Sequence, residues 1–189
     1  MHDSFPQTNL NVLQQARLQQ GEVLVQSRLY SLWGGMVAAQ IYLSQARSLV
    51  WESLTDYDRW ANIFPHVTKS VLLERQSPFR KRLYQAAAKK FALITIAVET
   101  ELMVREYPQR RIWFHLEKPN NCFREFEAEV WLQEAPDSAG TFLNYTVQAA
   151  ASLPIPAPFI QEAMRQDLPD NLLHLRDYLN QAFTSNVRD

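Results

Sequence analysis

ARSLVWESLTDYDRWANIFPHVTKSVLLER, residues 46–75, sets the direction of the fold. Val50, Leu54 and Tyr57 recur at i, i+4 and i+7, with Glu52, Ser53 and Asp56 on the opposite side, which predicts an amphipathic helix. Trp60, Ile63 and Phe64 prolong the apolar line. Pro65 ends it, because proline lacks an N–H and restricts the residue before it. An alternating run follows, with Val67, Val71 and Leu73 on one face and Thr68, Ser70 and Glu74 on the other, which predicts a strand. A short helical pair loaded with aromatic rings that hands over to a sheet closes either a core or a cavity.

The rest of the chain decides which walls are available. At 189 residues it fits one domain, or one domain with tails, and 47% hydrophobic with 12% aromatic residues supplies a sizeable core. The expected division is a tail or short helix over 1–20, a domain over 21–184 and a tail over 185–189. A net charge of −1 gives no overall field for nucleic acid, so no DNA partner is expected. Cys122 is the only cysteine, which excludes an internal disulfide and a cysteine zinc site and fits a reducing, cytoplasmic location. Residues 1–15 lack the basic and apolar regions of a secretory signal. The longest apolar run, 91–98, is too short to span a bilayer.

Segments 22–31 and 36–44 read as a hairpin around Trp33-Gly34-Gly35, a turn whose glycines supply positive φ. Strands are predicted at 67–75, 80–87, 91–105, 110–117, 123–133 and 141–151. Short connections rich in Pro, Asn and Gly join them, which makes neighbours antiparallel. Prolines at 154, 156 and 158 favour an extended link. From there to about Phe183, Ile160, Met164, Leu168, Leu172, Leu175 and Leu179 form one stripe at helical spacing. Pro169 within it predicts a kink, most simply a static bend. The class is α+β: a curved antiparallel sheet laid on a long last helix.

In this order the motifs are familiar. The block VWESLTDYDRWANIFPHVTKSVLLER, the strand pair RRIWFHLEKPNNCFREFEAEVWLQEA and the helix RQDLPDNLLHLRDYL resemble the START-like, or SRPBCC, superfamily with its helix-grip fold. They are most similar to the polyketide cyclase/dehydrase and coenzyme Q-binding protein branch, in its cyanobacterial form. The resemblance spans about residues 22–183. It implies an apolar cavity between sheet and long helix. It further implies a hydrophobic ligand such as a quinone, isoprenoid or lipid, or else polyketide cyclisation or dehydration chemistry. Fold alone does not choose between these.

Strand alternation names the inward side chains. Ile112, Phe114 and Leu116 form one set, and Phe126, Ala128, Val130 and Leu132 a second. Thr141, Leu143, Tyr145 and Val147 form a third, and Ile94, Ile96, Val98 and Leu102 a fourth. The helix adds Ile160, Met164, Leu168 and Leu172. Stripes of this kind most often fill an ordinary core, and the resemblance is what raises a cavity above that reading. The ligand-contacting set is then Trp60, Phe64, Ile96, Val98, Phe114, Leu116, Phe126, Val130, Leu143, Tyr145, Ile160, Met164 and Leu168. Tyr145 is the polar group expected to orient a ligand, unless its hydroxyl finds a backbone partner. Trp60 and Phe64 are either a lid over the mouth or a plug.

Much chemistry is missing. The four histidines stand apart from one another and from Cys122, so no metal is implied, and no nucleotide-binding or nucleophile motif implies a cofactor. Glu125, Glu127 and Glu129 read as a wet strand face. Arg75, Arg80, Lys81, Arg82, Lys89 and Lys90 form a basic strip with no acid between Glu74 and Glu99. It either protects an edge strand or meets anionic lipid headgroups, RNA or an acidic protein. The expected function is binding or carriage of a hydrophobic molecule, with peripheral membrane contact and without catalysis. The alternatives are a polyketide cyclase-type enzyme and an interaction module built on the basic strip.

Overall fold

Eight strands form one antiparallel sheet. They are Leu24–Ser31 (β1), Gly34–Leu43 (β2), Val67–Ser77 (β3), Arg80–Phe91 (β4), Ile94–Tyr107 (β5), Arg111–Leu116 (β6), Phe123–Glu134 (β7) and Thr141–Ala151 (β8). Their order across the sheet is β1-β2-β8-β7-β6-β5-β4-β3. The helices are Val12–Gln19 (α1), Arg47–Thr55 (α2), Trp60–Ile63 (α3) and Ala157–Ser185 (α4), with a 3-10 turn at Tyr57–Arg59. This computed structural model describes residues 10–32, 34–91, 94–136, 139–152 and 155–185. The side chains of 29, 30, 89–91, 94–96 and 183–185 lie outside the described set.

The sheet is antiparallel because its connections are short, and the hairpin β1–β2 joins it through β8. One long helix then covers the concave face. Leu168, Leu172, Leu175 and Leu179 are all buried, and α4 rests chiefly on β2, with β1 and β8 beside it. Pro169 lies inside α4 and interrupts its hydrogen-bond ladder, yet the helix continues through it. Among the described residues no helix is long and apolar enough to cross a membrane.

Two local expectations are corrected. Gly34 and Gly35 are the first residues of β2, and Gly35 has no positive φ; Trp33 lies outside the described residues. The reason for a glycine at 35 is contact with α4. A Cβ there would stand 3.0 Å from Gln161 Cβ and 3.3 Å from Gln161 Cα. The face of β3 also differs: Ser70 is buried and Leu72 meets the core, whereas Leu73 is exposed. Register shifts between Val67 and Lys69 and between Leu72 and Glu74 move the phase, as bulges do.

On the convex face α1 is docked through Leu18 against Leu24, Ala135 and Phe142. Asn11 and Gln14 form a reciprocal capping box at its start. Gly21, with φ 97°, lets Gly21 N–H reach Leu18 O and Glu22 N–H reach Arg17 O at its end.

Gly35→Ala should lower stability by about 1–3 kcal/mol, because α4 must move off β2 to admit a methyl group. Urea denaturation of the two proteins measures it, and an unchanged midpoint would show that this approach is not a constraint.

Candidate functional site

The inner face is set by register. Phe114 opposes Val104 and Ala128, Val130 opposes Ile112 and Tyr145, and Tyr145 opposes Ala39 on its other side. Phe114, Val130, Leu143 and Leu168 are closely packed members of the main core. Val98, Leu116, Phe126, Ile160 and Met164 are only half-buried. The side chain of Ile96 lies outside the described set. The inner surface that stays accessible therefore lies mainly towards the end of the sheet where α4 begins.

Tyr145 is also half-buried by accessible surface. Yet burial alone pushes its phenol up to about 12. It stands on β8 between Ala39 and Val130, packed against the core yet partly accessible. Its hydroxyl has no hydrogen-bond partner among the described residues. Buried tyrosines ordinarily find one, so this hydroxyl is left available inside an apolar surround.

A second polar group lies inside, and sequence reading missed it. Tyr57 Oη donates to Glu106 Oε1 at 2.5 Å, and Lys81 Nζ pairs with the same oxygen. All three residues are buried. Burial, with the Glu106 carboxylate alongside, holds the Tyr57 phenol well above its ordinary range. The ring of Tyr57 stands 5.4 Å from that of Trp60 and meets Phe114 edge-on. A buried carboxylate with two donors is satisfied, and the aromatic cluster over it keeps water away.

Trp60 and Phe64 belong to this cluster. Each is 8% exposed, and their rings meet edge-on at 5.1 Å. Trp60 Nε1 donates to Leu54 O at 3.0 Å, and its ring lies 5.5 Å from that of Phe114. The structure thus places both in a packed wall beside β3 and α4.

The basic strip does not form one surface. β4 is an interior strand, paired with β3 and β5. Lys81 points inward to Glu106, and Arg82 meets Glu74, Glu101 and Glu117 at 3.6, 2.8 and 3.2 Å. The carboxylates that a linear reading of 75–90 does not contain come from β5 and the residue after β6. Arg75 and Arg80 remain exposed; the side chains of Lys89 and Lys90 lie outside the described set. The glutamate row is corrected likewise. Glu129 is 1% exposed and paired with Arg111, and Glu127 accepts from Trp113 Nε1, while Glu125 is exposed. Burial raises the Glu129 carboxyl above its ordinary value, against the opposing pull of Trp131 and Arg111.

No family profile and no curated protein sequence matches this chain. Solved structures do. A START superfamily protein from Mycobacterium smegmatis aligns with TM-score 0.67 and 14% identity, over 78% of this chain and 98% of its own. A STAR-related lipid transfer protein from Xanthomonas axonopodis gives 0.64 and 16%, over 84% and 93%. The Zhui aromatase/cyclase from Streptomyces sp. R1128 gives 0.61 and 18%, over 79% and 93%. This chain has the helix-grip fold. At such identities the likeness is one of fold, and its neighbours include both a lipid transfer protein and an aromatase/cyclase.

Lys81→Met should cost about 3–5 kcal/mol, because it strands the buried Glu106 charge. Arg82→Gln, on the outside, should cost under about 1 kcal/mol; denaturant midpoints compare them. For Tyr145 the folded phenol ionises at about 12 against 10.0 for an unperturbed one. A raised acid pKa means the folded state holds its proton longer. This residue therefore subtracts stability as pH rises from 10.0 towards about 12. Tyr145→Phe should flatten that alkaline loss and leave the neutral-pH melting temperature unchanged, since no hydrogen bond is removed. Thermal melts across alkaline pH read both effects.

Proposed function

We propose that this chain binds and carries a hydrophobic small molecule in the recess of Tyr145. The observation that carries the reading is the unpartnered hydroxyl in an apolar surround. An apolar pocket with one or two polar groups orients a ligand without converting it. The phenol, held protonated, donates a hydrogen bond, so the ligand is an apolar body with an acceptor oxygen. A quinone or an oxygenated isoprenoid meets that description. The same chemistry agrees with the coenzyme Q-binding branch that the sequence resembles. Val98, Leu116, Phe126, Ile160 and Met164 form the contact surface.

A cyclase-type enzyme would need a second polar group within reach of Tyr145 to move protons. Glu106 and Lys81, three and four strands from β8 across the sheet, are engaged with each other and with Tyr57, which favours carriage. Peripheral membrane contact belongs to the same reading. Leu32, Ile155 and Phe159 are exposed near the start of α4, where Ala157 N–H donates to Leu32 O. A cytoplasmic location fits the lone Cys122.

The test is native mass spectrometry of the purified protein, followed by titration with a short-tailed ubiquinone. The expected result is a one-to-one complex that Tyr145→Phe weakens about two- to tenfold, the worth of one hydrogen bond. Absence of any co-purified or added ligand would overturn the proposal.

A further inference from the structure

On the convex face, at the end of the sheet opposite the start of α4, the β3–β4 and β5–β6 hairpins lie side by side. Between them is a depression of about 800 Å³ lined by Phe79, Arg80, Arg105, Arg110, Arg111 and Trp131, among others. Four of these six are arginines.

Their charges are unequally compensated. Arg111 is paired with Glu129 and lies between two rings, its Cζ 5.0 Å from the Trp131 centroid and 5.3 Å from that of Tyr107. Glu106 also reaches the depression, but it is occupied by Lys81 and Tyr57. Arg80, Arg105 and Arg110 have no carboxylate partner among the described residues. Arg105 stands over Trp113 at 5.2 Å and Arg110 beside Trp131 at 5.8 Å, so ring faces hold these guanidinium groups in place.

The register makes this arrangement costly. Arg80 and Arg105 are directly opposed on neighbouring strands. Like charges so placed destabilise a sheet. The field reaches His115, whose pKa burial lowers first and Arg105 and Arg80 lower further. A concentration of positive charge that costs stability, is oriented by aromatic rings and lines a concave surface has the form of an anion site. Guanidinium forks match phosphate oxygens in pairs. The volume exceeds what a bare phosphate fills, and Phe79 and Tyr107, both exposed at its rim, offer apolar surface for an organic remainder.

We propose that this depression is a second binding site, separate from the Tyr145 recess, for a phosphate-bearing ligand whose phosphoryl groups are held by Arg80, Arg105 and Arg110. The phosphate belongs to a lipid headgroup or to a free phosphorylated molecule.

Isothermal titration with inorganic pyrophosphate, and sedimentation with vesicles of equal parts phosphatidylglycerol and phosphatidylcholine, separate the two sources. Pyrophosphate binding without vesicle binding assigns a free molecule, and vesicle binding that pyrophosphate competes away assigns a headgroup. In either case Arg105→Gln and Arg80→Gln should each weaken binding about tenfold or more. The melting temperature should hold or rise, since a like-charge pair is relieved. Arg82→Gln, outside the depression, should bind as the parent does. Failure of both probes overturns the site. So does binding that Arg80→Gln and Arg105→Gln leave intact, or binding of single-stranded RNA without any of pyrophosphate. None of these outcomes depends on whether the Tyr145 recess holds a ligand.

Discussion

The architecture depends on how α4 sits on the sheet. Its leucines at 168, 172, 175 and 179 are seated in the main core, and Gly35 admits Gln161 against the backbone of β2. With β2 and β8 as the support, the strands from β7 to β3 form the remaining wall, and α2 and α3 fill the side. The first turns of α4 are buried less completely than the stretch around Leu175 and Leu179, with Ile160 and Met164 half-exposed and those two leucines fully covered. The same helix therefore supplies core at one end and, at the other, the wall of the proposed ligand site. The transition falls near Pro169, where the helical ladder lacks one N–H.

The two polar sites of the inner face obey opposite rules. The Glu106 cluster is complete: each buried charge has a partner, and the aromatic rings of Tyr57, Trp60 and Phe114 close over it. Such a group resists change, because removing one member leaves the others desolvated. Tyr145 is incomplete, with a hydroxyl in apolar surroundings and no hydrogen-bond partner among the described residues. A complete cluster is suited to holding a structure, and an incomplete one to meeting something from outside. That contrast, and not the number of polar residues, is what separates the scaffold from the proposed site.

Much of this was legible in the sequence. The strand set, the helix–break–strand block at 46–75 and the stripe of α4 followed from periodicity, because each is a local pattern with one buried face. The inward assignment of Phe114, Val130, Leu143 and Tyr145 came from the same alternation. The charges were not read so well. Lys81 looked like part of a surface run because its partner, Glu106, is 25 residues away in the chain and meets it only through pairing of β4 and β5. Continuing the alternation two steps beyond Leu102, through Val104, and applying it to 80–87, would have turned both inward. Glu129 was misread for a related reason: its cover comes from Arg111 and Trp131, on the face thought to be wet. Gly35 was assigned to turn chemistry, although nothing local announces a helix arriving from residue 161. The arginine depression is a property of two hairpins brought side by side, so no single window contains it.

The inward turn of Lys81 has a consequence for how this chain tolerates change. Residues 80–82 read Arg-Lys-Arg, a triplet whose charge is the same in every frame. Side chains on a strand alternate, so a slip of one position would present an arginine to Glu106 and push Lys81 into solvent. Neither neighbour offers the slim ammonium that fits beneath the ring of Tyr57, and Arg82 would abandon its carboxylates as well. The buried pair is thus a length gauge for the β3–β4 hairpin. Deleting or inserting one residue at Pro78 or Phe79, in a turn that would otherwise accept it, would misalign both faces of the sheet at once.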